Sequence, residues 1–91
     1  MQIHDWRHIY GQVGGQYAQF EASDQDTAGT SYHYFGFETS NGAWIIQRFD
    51  FTTSGVIAYR YSGGQTHAGY LVGWANRALL TYEYFSEVTI P

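Results

Sequence analysis

Apolar positions in this chain recur mostly with a period of two, which predicts strands. From Gly42 to Phe51 it reads Gly-Ala-Trp-Ile-Ile-Gln-Arg-Phe-Asp-Phe. As a strand, this places Trp44, Ile46, Arg48 and Asp50 on one side and Ala43, Ile45, Gln47, Phe49 and Phe51 on the other. Both sides open apolar, the pattern of a strand buried between neighbours. Asn41-Gly42 just before it is a strong hairpin signal, because both residues tolerate positive φ. Upstream, Ser31–Thr39 alternates His33, Phe35 and Phe37 against Tyr32, Tyr34, Gly36 and Glu38. Downstream, Thr52–Gly55 turns into Val56–Tyr61, and Ser62-Gly63-Gly64 closes that segment. The spacing predicts a three-stranded meander over residues 31–61.

The flanks are patterned differently. Ile3–Tyr10 alternates Trp6, His8 and Tyr10 with Ile3, Asp5, Arg7 and Ile9, until Gly11 and Gly14-Gly15 break it. Gln16–Ala22 resumes the alternation, which predicts an N-terminal hairpin over 1–22. Residues 23–30, Ser-Asp-Gln-Asp-Thr-Ala-Gly-Thr, read as a polar, acidic loop. Tyr70, Leu71, Trp74, Ala75, Ala78, Leu79 and Tyr82 recur at three- and four-residue intervals, a helical stripe that Thr66 is placed to cap. Gly69 and Gly73 each weaken a helix by about 0.5–1 kcal/mol relative to Ala, so the predicted helix is short, near residues 70–80. Tyr84–Ile90 reads as a last strand. The expected fold is mainly β: one domain over 1–91, a small antiparallel sheet or sandwich of five to six strands with one short helix.

Composition narrows what such a domain does. With 91 residues, folding buries only about 60–65% of the unfolded surface, so association would help stability. Aromatics are 20% of residues, with nine Tyr against six Phe, which suits strands and leaves hydroxyls for a wet surface or an interface. Four Arg, no Lys and eight acids give a net charge of −4. That lacks the basic footprint of a nucleic-acid or anionic-membrane binder. So few charges suggest that much of the surface meets protein. There is no Cys, no apolar run near the roughly eighteen residues of a membrane span, and no signal-peptide pattern at the start. The opening Met suggests a small protein made complete in the cytoplasm.

Catalytic constellations are absent from the pattern. His4 and His8 share a strand face but lie about 13 Å apart by the usual rise, too far to chelate one ion, and lack a third ligand. Asp24/Asp26 fall in the polar loop and Glu83/Glu87 near the end, where solvated roles are expected rather than glycosidase chemistry. No nucleophile elbow frames a Ser, and Gly11-Gln-Val-Gly-Gly15 is neither a Walker nor a Rossmann loop. Arg48, Asp50 and Arg60 suggest a cross-strand ion pair worth about 0.2–1 kcal/mol. Arg77 is placed to stack on a ring or bond backbone carbonyls. Tyr32, Tyr34, Tyr59, Tyr61, Tyr82 and Tyr84 are the candidate interface, with three readings open: a second core face, a protein interface or a glycan-stacking shelf.

Three segments carry a family resemblance: Tyr34-Phe35-Gly36-Phe37, Asn41-Gly42-Ala43-Trp44-Ile45-Ile46-Gln47-Arg48, and Trp74-Ala75-Asn76-Arg77-Ala78-Leu79-Leu80-Thr81-Tyr82. Together, over about residues 32–85, the chain resembles a module that recurs in small virion-associated proteins of tailed bacteriophages. The resemblance implies a non-enzymatic structural or adaptor protein of the tail, neck or capsid surface, with no catalytic residues and no cofactor. Trp44, Arg48, Trp74, Asn76 and Arg77 would then be structural. Expected partners are other virion proteins and copies of itself in a symmetric assembly. Expected localisation is the virion, after synthesis in the host cytoplasm. The alternative is a small carbohydrate-binding module for host adhesion, which would leave an aromatic shelf in water beside polar groups.

Overall fold

A computed structural model describes the backbone of residues 8–13 and 16–88, and side chains from Gln19 onward. The strands are β1 (His8–Val13), β2 (Gln16–Asp26), β3 (Tyr32–Glu38), β4 (Trp44–Asp50) and β5 (Ala58–Gly64), followed by helix α1 (His67–Ala75). Each strand pairs antiparallel with the next, in the order β1-β2-β3-β4-β5. The packed body is the four-stranded sheet β2–β5 and α1, with β1 hydrogen-bonded along the outer edge of β2. This corrects the expectation of five to six strands in a sheet or sandwich. Among the described residues there is no second layer of strands, and Tyr84–Val88, the described part of the predicted last strand, is not one; Thr89 and Ile90 lie outside the described residues.

β4 lies between β3 and β5, with core on both sides. Ile45 and Ile46 are both 0% exposed yet point to opposite faces. Under α1, Trp44 and Ile46 pack with Tyr34 and Tyr70, joined by Trp74, Leu80 and Tyr82. On the other face, Ala43 and Ile45 pack with Phe20 and Phe37, and Phe35, Tyr61 and Val88 lie against them. Alternation therefore divides one strand between two small cores.

Tertiary contacts moved several boundaries. The loop expected at 23–30 begins later, because β2 runs on to Asp26 beside β3. An irregularity between Ala22 and Asp24 brings Asp24 opposite Gly36 and Asp26 opposite Tyr34, beneath the helix side of the sheet. Gly63 and Gly64 continue β5 instead of closing it, while Val56 and Ile57 lie exposed in the preceding connection. Likewise Gly11 stays inside β1, paired with Ala18.

The hairpin before β4 also differs in kind. Gly42 N–H donates to Thr39 O at 3.1 Å, and Gly42 alone takes positive φ, at +92°. Asn41 does not share it. A turn followed by a left-handed glycine bulge closes β3–β4, rather than a two-residue turn with both residues at positive φ.

Thr66 caps α1, its Oγ1 accepting the Gly69 N–H at 2.9 Å. The helix ends at Ala75, not near Leu80. Asn76 N–H reaches both Val72 O and Gly73 O, and Arg77–Leu79 continues as a 3₁₀ turn. Leu79, counted in the apolar stripe, is 83% exposed. Finally, Glu83 makes one antiparallel bridge to Tyr61. The chain then turns through Phe85–Glu87, where the Tyr84 N–H meets Glu87 Oε1 at 3.3 Å. Sheet pairing stops there, because the Glu87 side chain and the turn carbonyls take the N–H groups that a ladder would use.

Candidate interaction surface

The face of the sheet away from α1 carries two cross-strand rows. One runs Gln25–Phe35–Gln47–Tyr61, the other His33–Phe49–Tyr59. Rings stack along and between them: Phe35 and Phe49 have centroids 4.9 Å apart, and Phe49 meets Tyr59 edge-on at 4.7 Å. Gln47 Nε2 donates to the Tyr61 hydroxyl at 2.9 Å, and Phe85 packs edge-on against the Tyr61 ring. Near the β3–β4 turn this face is sealed by Phe20, Phe37, Ala43 and Ile45. Further along it becomes a groove of about 700 Å³, walled by the four rings of Phe35, Phe49, Tyr59 and Tyr61, with Gln25, Thr27 and Gln47 as its polar members. Tyr59 is 46% exposed. Among the described residues, no charged side chain lines the groove.

The six candidate tyrosines do not form one surface. Tyr59 and Tyr61 line the groove; Tyr32, Tyr34 and Tyr82 lie on the helix side around Arg48. Strand parity divides them, since Tyr34 pairs with Arg48 whereas Tyr59 pairs with Phe49. Tyr34 is buried, and burial raises the pKa of Tyr34 and, more strongly, of Tyr82. Tyr84 is exposed and covers Arg60, with the guanidinium carbon 4.0 Å from the ring centroid.

The residues expected to be structural lie on the helix side. Trp44 fills the space between sheet and helix, its indole abutting Gly64, Gly69 and Gly73. Arg77 bonds Trp74 O through Nη1 at 2.7 Å, stacks on the Trp74 ring at 4.5 Å and pairs with Asp26 Oδ2 at 2.8 Å. Asn76 Nδ2 donates to Val72 O, holding the end of the helix. Arg48 makes no ion pair with Asp50; it sits between the rings of Tyr32 and Tyr82, at 4.9 and 4.6 Å. Asp50 instead accepts the backbone N–H and hydroxyl of Thr52, and those bonds first hold its carboxyl below the usual range. Asp50 makes no direct ion pair with Arg60 across the strands either; both arginines only add to the lowering of its carboxyl, and a local turn and ring stacking stand where the ion pair was expected.

Asp24 and Asp26 are likewise not loop residues. Tyr70 Oη donates to Asp24 Oδ2 at 2.7 Å, and Arg77 holds Asp26 from Nε and Nη2. The Arg77 hydrogen bonds lower the Asp26 pKa, helped by the Ala28 N–H. Among the described residues, no three His, Asp or Glu side chains converge as a metal site would need, and His4 lies outside them. Sequence reasoning passed over Phe35, Phe49, Gln25, Thr27 and Gln47 as a group. The parity placing Phe35 and Phe49 on one side was visible, but the β4–β5 register that adds Tyr59 and Tyr61 was not.

No family model matches the chain, and neither a curated protein nor a solved structure is detectably similar to it.

Proposed function

We propose that this chain is a non-enzymatic structural or adaptor protein of a bacteriophage particle, working in the virion through its aromatic face. The reading rests on one observation: the groove of Phe35, Phe49, Tyr59 and Tyr61 is large, ring-lined and uncharged. Interface cores are depleted in charge and enriched in aromatic residues, and buried rings dominate their energetics. A 91-residue chain with one helix-covered sheet face also gains by covering the other. The resemblance to small phage proteins supplies the setting, with other virion proteins and further copies of the chain as partners.

Light scattering over a tenfold concentration range tests this reading, with Tyr59→Ser as the comparison. The expected result is a defined oligomer for the parent, and a folded monomer for Tyr59→Ser. A parent that stays monomeric at every concentration overturns self-assembly through this face. One observation favours the carbohydrate-binding alternative: Gln25, Thr27 and Gln47 place two amides and a hydroxyl among the rings, as neutral sugars require. Saturable binding of a neutral oligosaccharide by the monomer, lost in Tyr59→Ser, would select that reading.

A further inference from the structure

On the opposite side of the sheet, Arg48 and Arg60 are direct cross-strand partners. Like charges placed so, with Cβ atoms about 5 Å apart, are destabilising unless something neutralises them. Among the described residues neither arginine has a carboxylate partner; Asp26 pairs with Arg77, and Glu38 is hydrogen-bonded to the His67 ring. Among the described residues, Arg60 Nη1 donates to Tyr59 O, a backbone carbonyl. Arg48 Nε is buried without a hydrogen-bond partner. Asp50 lies on the same face two residues from Arg48. After the Thr52 bonds, the charges of Arg48 and Arg60 help to lower its carboxyl, but Thr52 engages its Oδ1 and Asp50 makes no direct ion pair with either arginine. The contrast with Arg77 is direct: same face, same ring stacking, but with an acid in place.

Three rings hold the pair. Tyr32 and Tyr82 sandwich the Arg48 guanidinium, and Tyr84 lies on that of Arg60. Stacked rings orient the planar forks and shield them from water, yet carry no counter-charge. Tyr32 and Tyr84 are exposed and Arg48 and Arg60 are themselves partly exposed, so the pair can be reached.

We infer that Arg48 and Arg60 form an oxyanion site that receives an Asp or Glu carboxylate from a partner protein. Arginines on facing positions of neighbouring strands offer the N–H donors that a carboxylate accepts, and tyrosine walls suit the flat group. A carboxylate is favoured over phosphate or nucleic acid because the chain carries a net charge of −4. That field opposes a multiply charged ligand while one carboxylate is balanced locally. The site lies across the sheet from the aromatic groove, so it stands or falls separately from the function proposed above.

Titration of the ¹⁵N-labelled protein with a peptide blocked at both ends and carrying a single Glu, following the arginine Nε–Hε resonances, tests the site. Saturable shifts of Arg48 and Arg60 are expected, with affinity falling at least about tenfold in Arg60→Gln and in Arg48→Lys, which keeps the charge but loses the fork. Tyr59→Ser, on the far face, should bind as the parent does. Inorganic phosphate at matched ionic strength is the second arm. Absence of saturable shifts, unchanged affinity in Arg60→Gln, or phosphate binding as tightly as the peptide would each overturn the assignment. Arg60→Gln should also raise the melting temperature of the peptide-free protein at low salt, since it removes the facing charge; a lower one argues against uncompensated repulsion.

Discussion

The indole of Trp44 occupies the space that a side chain on Gly73 would need: a Cβ there would lie 2.8 Å from Trp44 Cη2. The same ring closes on Gly64 of β5 and Gly69 of α1, so sheet and helix meet through one aromatic side chain set against three glycines. The glycines that weaken the helix locally are what let it approach.

Gly73→Ala should therefore destabilise the fold although it improves helix propensity. Overpacking against a buried ring costs about 1–3 kcal/mol, against a propensity gain of up to about 1 kcal/mol. Trp44→Ala should lose about 3–5 kcal/mol and can unfold a domain of this size. Urea denaturation of both variants measures this, and a stabilised Gly73→Ala would mean that the helix does not sit on Trp44.

The two left-handed glycines should respond unequally. Gly42 has φ +92° and a Cβ there would lie 3.2 Å from His67 N, whereas Gly55, at φ +76°, has open space around it. Backbone strain of about 1–3 kcal/mol applies to both, but crowding only to Gly42. Gly42→Val should lower the melting temperature more than Gly55→Asn, because Asn tolerates this conformation and meets no neighbour.

Stability should fall in alkali. Burial raises the pKa of Tyr70, Tyr82 and Tyr34 above the ordinary 10, and the Asp24 carboxylate beside the Tyr70 hydroxyl adds to its shift. A group whose pKa is higher in the folded state contributes stability that is complete below the unfolded pKa and is lost as pH rises past it. Absorbance at the tyrosinate band should show these three ionising only on unfolding, above about pH 10. Smooth titration of all nine tyrosines in the folded protein would contradict their burial.

In acid the sign reverses. Arg77 lowers the Asp26 pKa, so the contribution of this pair is present above the ordinary carboxylate range and is lost as pH falls through the folded value, below about 3.8. Both partners are about a quarter exposed, which limits the pair to about 1 kcal/mol. Asp26→Asn should flatten this part of the acid limb of the stability curve. Arg77→Ala should cost more than Asp26→Asn at neutral pH, because it also removes the bond to Trp74 O and the stack on that ring.

Local pattern alone determined a good deal of this protein. Alternation of period two placed β3 and β4 and assigned their residues to faces. The double apolar pattern of Trp44–Ile46 marked the inner strand, and Thr66 marked the start of the helix. These features depend on neighbours in the chain, where spacing and side-chain type carry the information. Only tertiary structure decided the rest. Asp24 and Asp26 read as loop residues until Tyr70 and Arg77, about fifty positions away, supplied their partners. Glu83 pairs once with Tyr61 before its segment turns away. The tyrosines divide between two faces, and Phe49 meets Tyr59 while Arg48 meets Arg60, because the β4–β5 register sets which residues stand opposite. A one-residue slip would exchange the faces, and the connection between those strands carries too little pattern of its own to specify that choice.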